Sequence, residues 1–152
     1  MVEFAIVAPL LFLLLFGIID FGWLLNQQQD VRYGAREGAR VAAVASQHAT
    51  INTSAEIVAA VCDRMDSSGP DMHVSLVATP SNGSTAQIGD LATIKVWKPA
   101  KDITGFFTDV IGDSVIKSDL TFRLEQPPAW TNTSPLTQSG GTVGGGIACP
   151  TP

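Results

Sequence analysis

The amino-acid sequence predicts an α+β protein in which a long N-terminal α-helix packs on a small three-stranded antiparallel sheet, beside one or two short helices. Two observations carry this prediction. The N-terminal part contains an apolar run that continues into an alanine-rich segment striped with arginines, a pattern typical of a long helix. Farther along, three segments alternate apolar and polar residues with the period of half-buried strands.

The start of the long helix has the length of a membrane span. Residues 4–25 are 22 residues with one charged member, Asp20, and as a helix they extend about 33 Å, which matches a hydrocarbon core of about 30 Å. A cleavable secretory signal would begin with basic residues, and this segment does not. We therefore expect the segment to stay in the mature protein. Glu3 would be costly if it were buried unpaired in lipid, and Pro9 is expected to kink or locally unwind the helix.

Small residues recur along this helix at three- and four-residue spacing. They are Gly17, Gly22, Gly34, Ala35, Gly38, Ala39, Ala42 and Ala43. Such residues let helices approach closely, so they are candidates for contacts between subunits. The alternatives are ordinary membrane-helix glycines for the first two, and a helix lying on its own domain for the others.

An arginine stripe follows, because Arg32, Arg36 and Arg40 fall at i, i+4 and i+8. The stripe is either a solvated face or a charged seam between subunits. In the second case Arg32 or Arg36 would lie near Asp20 or Asp30 of another copy.

The remaining elements are shorter. Residues 51–54 break the first helix, with Asn52, Thr53 or Ser54 as the N-cap of a second helix that starts at residue 55 and ends near residues 67–70. The other predicted elements are strands at 72–78, 92–97 and 115–124, of which the first two form a hairpin, and a short helix at 103–111.

The chain divides into three parts by composition. Residues 1–25 are the membrane half of the helix, residues 26–126 form the globular domain, and residues 127–152 are a tail rich in glycine, serine, threonine and proline. The glycine runs of the tail are not expected to build a core. Trp130 in the tail is interpreted as a packing residue, with adhesion as the alternative.

Cys62 and Cys149 are the two cysteines. In an exported protein they are expected to form one disulfide, which would stabilise the fold by roughly 4–5 kcal/mol and hold the tail against the domain. The alternative is a pair of buried thiols. A metal site is not expected, and the acidic cluster of Asp63, Asp66 and Asp71 with His73 is more typical of a solvated turn than of a cation site.

Several function classes find no support in the sequence. The net charge is −5 and no basic patch alternates with aromatic residues, so nucleic-acid binding is not expected. No motif of a hydrolase, metalloprotease, nucleotide-binding loop or dithiol enzyme is present. We expect neither an enzyme nor a cofactor.

The N-terminal motifs resemble the TadE-like family of type IV pilin-like proteins from tight-adherence pilus systems. The resemblance is carried by the motifs at residues 2–5, 16–22 and 35–40, together with the leucine run after Pro9. It extends more weakly to a closing strand at residues 120–125. The fold it implies is pilin-like, with the long helix against the small sheet.

The resemblance also implies how the protein is processed before assembly. Such proteins carry a short basic leader, which a prepilin peptidase removes on the cytoplasmic side. A leader of this kind would resolve a conflict with the positive-inside rule, because here the arginines follow the span and only Glu3 precedes it. In related pilins the corresponding glutamate is the fifth mature residue and pairs with the N-terminal ammonium of a neighbour, whereas Glu3 is third in this sequence.

The function expected from the sequence is a structural pilin subunit. It would reside in the inner membrane before assembly and then polymerise through its N-terminal helix with itself or other pilins. The resulting extracellular pilus would support adhesion. The alternative is a membrane-anchored minor pilin or accessory protein of the same machinery. The residues expected to serve assembly are Glu3, Phe4, Pro9, Gly17, Asp20, Arg32, Arg36 and Arg40.

Overall fold

The computed structural model describes residues 2–45, 51, 53–65, 69–83 and 85–150. Along the chain the elements are α1 (Val2–Ala43), α2 (Ser54–Asp63), β1 (His73–Thr79), β2 (Leu91–Pro99), α3 (Thr108–Ile111), β3 (Val115–Arg123), β4 (Thr137–Ser139), β5 (Thr142–Gly144) and β6 (Ile147–Ala148). The α+β prediction is confirmed, with a long helix against an antiparallel sheet.

Helix α1 is continuous over Val2–Ala43 and includes Pro9. Of the two effects predicted for this proline, local unwinding does not occur, and a kink stays a prediction. Pro9 lies near the start of the helix, where its ring and missing N–H affect only the first turns, and the leucine-rich sequence that follows favours the helix strongly.

Helix α2 begins with a capping box, which selects Thr53 among the predicted N-caps that the structure describes. The Glu56 amide donates to Thr53 Oγ1 (3.3 Å) and the Thr53 amide donates to Glu56 Oε2 (2.9 Å), so two free amides at the helix start are satisfied reciprocally. The third candidate, Asn52, lies outside the described residues. The helix ends at Asp63, about one turn before the predicted end near residues 67–70.

Among the described residues, the main sheet has four antiparallel strands in the order β3-β2-β1-β6, not the three that were predicted. The three long strands are those expected from the sequence, and β1 and β2 form the predicted hairpin. The added strand is β6, a short piece of the tail that pairs His73 with Ala148 and Val74 with Ile147. Two residues are too few to show strand periodicity, so this strand left no signal in the sequence.

The core lies between one face of the sheet and the C-terminal half of α1, with α2 beside them. The sheet contributes alternate residues of β1 and β2, and α1 contributes small residues one helical turn apart. The fully or almost fully buried members are Val31, Ala35, Ala39, Ala42, Val74, Leu76, Ala92, Ile94 and Val96. Alanines on α1 bring the helix axis close to the sheet, which explains the alanine-rich composition of this half.

The third helix is shorter than the sequence predicts. The prediction covered residues 103–111, whereas the helix is only Thr108–Ile111 and residues 103–107 form an irregular loop. The amides of Ile103 and Thr104 donate to a carboxylate on α1 instead of to carbonyls of their own helix. Gly105 then adopts a positive φ of 75°, which ends any helical path through this segment.

The tail is more ordered than its composition suggested. Trp130 is buried, as its interpretation as a packing residue requires, and its Nε1 donates to the Ala42 carbonyl at the end of α1 (3.1 Å). Asn132 binds both backbone groups of Ala78, and the Thr133 amide donates to the Leu76 carbonyl (2.9 Å). The tail thus covers the edge of β1 beyond the reach of β6.

Candidate assembly surface on the N-terminal helix

The N-terminal half of α1 projects from the domain. Its apolar side chains are exposed: Phe4, Ile6, Val7, Leu10, Leu11, Phe12, Leu13, Leu14, Leu15, Ile18, Ile19, Phe21, Trp23 and Leu25. Among the described residues, one helix is long and apolar enough to cross a membrane, and only 6% of its most apolar window is buried. A continuous apolar surface of this size requires lipid or other protein around it.

Glu3, Phe4 and Pro9 lie at the far end of this projecting half and are all exposed. Glu3 occupies the first turn of α1, where a carboxylate interacts favourably with the helix dipole. This position leaves the Glu3 carboxylate open to a partner outside the chain.

Asp20 differs from the other predicted assembly residues because its own chain encloses it. The side chain is 1% exposed. Its carboxylate accepts hydrogen bonds from the amides of Ile103 (3.2 Å) and Thr104 (3.1 Å), and from the Thr104 hydroxyl. The structure therefore assigns Asp20 an intramolecular role, holding the loop of residues 103–107 against α1, while its role between subunits stays a prediction.

The small residues on α1 divide into two groups by what surrounds them. A Cβ atom at Gly38 would lie 2.6 Å from Val61 Cγ2, and one at Gly34 would lie 2.9 Å from Met65 Cε, so both glycines allow close packing within the domain. A Cβ atom at Gly17 would contact the Phe107 ring at 3.8 Å, and one at Gly22 would meet nothing within 4 Å. Gly22 is therefore open to a partner.

The arginine stripe lies on the solvent side of α1. Arg32, Arg36 and Arg40 are exposed, and Arg40 forms an ion pair with Glu37 (2.9 Å) one turn earlier. The hydrogen bond from Arg40 lowers the pKa of Glu37, and the same contact raises the pKa of Arg40. In the isolated chain the stripe is thus a solvated face, and the seam between subunits stays a prediction.

One comparison with known proteins bears on this helix. Residues 1–40 match a family model described as TadE-like protein. The resemblance drawn from the N-terminal motifs is confirmed over these residues, and it indicates a protein associated with a Tad pilus. No curated protein and no solved structure matches the chain.

The TadE-like segment, residues 1–40, holds every predicted assembly residue. It includes the whole projecting half of α1 and continues onto the half that packs on the domain. The match and the exposed apolar surface therefore coincide on the same part of the chain.

Cys62 and Cys149 lie at disulfide distance, with their Cα atoms 5.8 Å apart, and form a bond between residues separated by 87 positions. The bond joins the last turn of α2 to the end of the tail. The Cys149 amide also donates to the Met72 carbonyl (2.9 Å), so the tail is fixed at this point by both a covalent and a hydrogen bond.

Two members of the predicted acidic turn, Asp71 and His73, make contacts within the chain. Asp71 binds Lys101 (2.7 Å), and this hydrogen bond lowers the pKa of Asp71. His73 Nδ1 donates to the Gly145 carbonyl (2.7 Å). Asp66 lies outside the described residues, and among those that are described no three histidines, cysteines or carboxylates are arranged to hold a metal ion.

Proposed function

We propose that the chain is a structural pilin subunit, without catalytic activity, that polymerises through its N-terminal helix into an extracellular Tad-like pilus supporting adhesion. The observation that carries the proposal is the projecting half of α1, which is apolar on every side and belongs to the TadE-like segment. Two environments suit such a surface in turn: the inner membrane before assembly, and a bundle of similar helices afterwards.

Glu3 supports polymerisation more than simple anchoring. A carboxylate at the apolar end of a helix is unfavourable in lipid unless it finds a cation. The N-terminal ammonium of a neighbouring subunit would be such a cation, and adding a subunit would then satisfy both groups. The remaining surface of the helix would contribute packing, with Gly22 as a site of close approach.

The alternative is a membrane-anchored minor pilin or accessory protein that associates with the pilus machinery without forming the filament. The bound Asp20 favours this alternative, because its carboxylate already accepts hydrogen bonds from the loop of its own chain and is not open to an arginine of another copy. In this case the helix would remain in the inner membrane.

A variant pair at Glu3 distinguishes the two functions. In cells that make pili, Glu3→Ala should abolish incorporation into filaments while leaving membrane insertion unchanged, because only the charge pairing between subunits is lost. Glu125→Ala removes an exposed carboxylate from the globular domain and serves as the matched control. Filament imaging with an antibody to the domain, beside membrane fractionation, measures both outcomes. If the unaltered protein never occurs in pili, the structural role is wrong and the accessory role stands.

A further inference from the structure

We propose that the loop of residues 103–107 and the helix α3 that follows it form a second membrane contact, embedded in the lipid interface beside the projecting half of α1. The inference rests on the membrane stage of the proposed function. Two features carry it. The exposed apolar loop is fixed against a helix of membrane length, and the point of contact lies within the bilayer when that helix spans it.

The loop presents apolar side chains outward. Ile103, Phe106 and Val110 are 57%, 56% and 77% exposed, and they lie within one short stretch of chain. Exposed aromatic and aliphatic side chains clustered in this way are unfavourable in water and mark a contact surface. Asp102 and Asp109 in the same stretch are acidic and would not be attracted to anionic lipid, so the proposed contact rests on the apolar side chains alone.

This apolar cluster is continuous with the projecting helix. The Phe106 ring lies 6.0 Å from the Phe16 ring, which in turn stacks on Phe12 at 6.3 Å. The Phe107 ring lies against Gly17, where no side chain intervenes. Whatever surrounds α1 at residues 12–19 therefore also surrounds the loop.

The depth of the contact follows from helix geometry. With Glu3 at one boundary of a hydrocarbon core about 30 Å thick, Asp20 lies about 25 Å along the axis and Phe16 about 20 Å. The loop is consequently held about 5–10 Å inside the opposite boundary, the depth at which interfacial amphipathic elements rest. Trp23, 39% exposed, then falls near the headgroups, where tryptophan is enriched.

Asp20 gives the loop a physical reason to enter this region. A carboxylate within the apolar zone is tolerated only with its hydrogen bonds satisfied, and the loop supplies two amides and one hydroxyl to it. The loop thus shields the carboxylate from lipid, while its outward side chains replace the apolar helix surface that it covers.

Depth-dependent quenching in vesicles tests the proposal on the full chain. The native cysteines are bonded to each other, so a single introduced cysteine can carry an environment-sensitive fluorophore. The test positions are F106C and V110C. L13C reports on insertion of α1. I88C is a matched control, because Ile88 is 62% exposed and precedes β2, whereas the loop follows β2. The length of that strand separates the two positions by about 30 Å. Vesicles of phosphatidylcholine carry a nitroxide quencher on the acyl chain.

We expect quenching at positions 106 and 110 to be comparable with that at position 13 and several times that at position 88. Quenching at 13 with water-like signals at 106 and 110 would overturn the proposal and leave the membrane stage intact. Lack of quenching at 13 would overturn the membrane stage itself. The fluorophores at 106 and 110 could instead be shielded from water, insensitive to the lipid quencher, and exposed again on dilution into more lipid. This result would show that a second copy covers the loop, which also overturns the proposal.

Discussion

At the residue scale, Gly38 marks the closest approach of α1 to its own domain. Gly38→Ala would place a methyl group against Ile94 and 2.6 Å from Val61 Cγ2, both fully buried. Overpacking costs about 1–3 kcal/mol and outweighs the helix-propensity gain of up to about 1 kcal/mol. We expect a net loss of about 1–2 kcal/mol in the free energy of unfolding, measured by denaturant titration of the full chain in detergent micelles.

Gly22 on the projecting half provides the matched control. A methyl group there meets nothing within 4 Å, so Gly22→Ala should leave the stability of the domain unchanged or slightly raised through helix propensity. Equal destabilisation by the two substitutions would contradict the assignment of Gly38 to internal packing. The same variant should weaken filament assembly if Gly22 is a site of close approach between subunits.

At the element scale, the bond between Cys62 and Cys149 holds the tail against β1. Cys62→Ser with Cys149→Ser should lower the free energy of unfolding by about 4 kcal/mol, because the unfolded chain is released from a long closed loop. Denaturant titration with and without reductant measures this. The double variant should be indifferent to reductant, whereas an unaltered protein that loses no stability on reduction would contradict the prediction.

The turn before β2 depends on the charge of Asp90. Its carboxylate accepts from the amides of Gln87 (2.8 Å) and Ser81 (3.3 Å), and the hydrogen bond from Gln87, with a further contribution from Ser81, lowers the pKa of Asp90. Because the folded-state pKa lies below the unfolded value of about 3.9, the contribution to stability is fully present above that value and is lost as pH falls through the folded pKa.

Acid unfolding curves should therefore differ between the natural chain and Asp90→Asn. The natural chain loses stability as the carboxylate becomes protonated, and the asparagine variant, which has no charge to lose, should be less stable at neutral pH and less sensitive to acid. Thermal unfolding followed by circular dichroism between pH 6 and pH 2.5 measures both. Parallel curves would show that Asp90 does not stabilise the turn through its charge.

The sequence predicts well the elements whose signal is periodic. Helix α1 and strands β1 to β3 appear near their predicted positions, since apolar alternation reports burial directly. Prediction from the sequence fails where contacts between distant residues decide the conformation. Residues 103–107 have helical spacing, yet Asp20, more than 80 positions earlier, takes their amides.

Glycine content was misleading for the tail for a related physical reason. Gly146 has a φ of 59° and approaches the Val74 carbonyl so closely that a Cβ atom would lie 2.5 Å from its oxygen. Glycine is used here for close backbone approach and not for flexibility. Composition alone does not separate these two uses, so the pairing of β6 with β1 could not be predicted, although the two cysteines did predict that the tail is held against the domain.

At the scale of the whole molecule, α1 is one continuous element with two kinds of surface. The second half packs on the sheet through small residues, and the first half projects with its apolar surface exposed. The sequence placed the change at residue 25. The structure adds contacts from the domain that reach back to Phe16, through Phe106 and the hydrogen bonds to Asp20. The loop of residues 103–107 therefore depends on helix residues that lie within the apolar stretch.

Two shortened chains separate these contributions. A chain that begins at residue 16 retains the contacts of Phe16, Gly17 and Asp20 with the loop, whereas a chain that begins at residue 26 loses them. Both keep the hydrogen bond from Gln27 to the Lys101 carbonyl (2.6 Å) and the packed half of α1. Chymotrypsin, which cuts after aromatic residues, should cleave the shorter chain after Phe106 and Phe107 several times faster, because an unanchored loop opens locally without global unfolding.

Cleavage after Trp97 provides the internal control, because this residue lies within β2 and is bonded on both sides by neighbouring strands. Its rate should be slow and similar in the two chains, since it requires opening of the sheet. Equal cleavage at the loop in both chains would mean that Gln27 and the strand ends suffice to hold it. The contacts at residues 16–20 would then not be needed to keep the loop ordered, and they would matter only for the surroundings of the projecting helix.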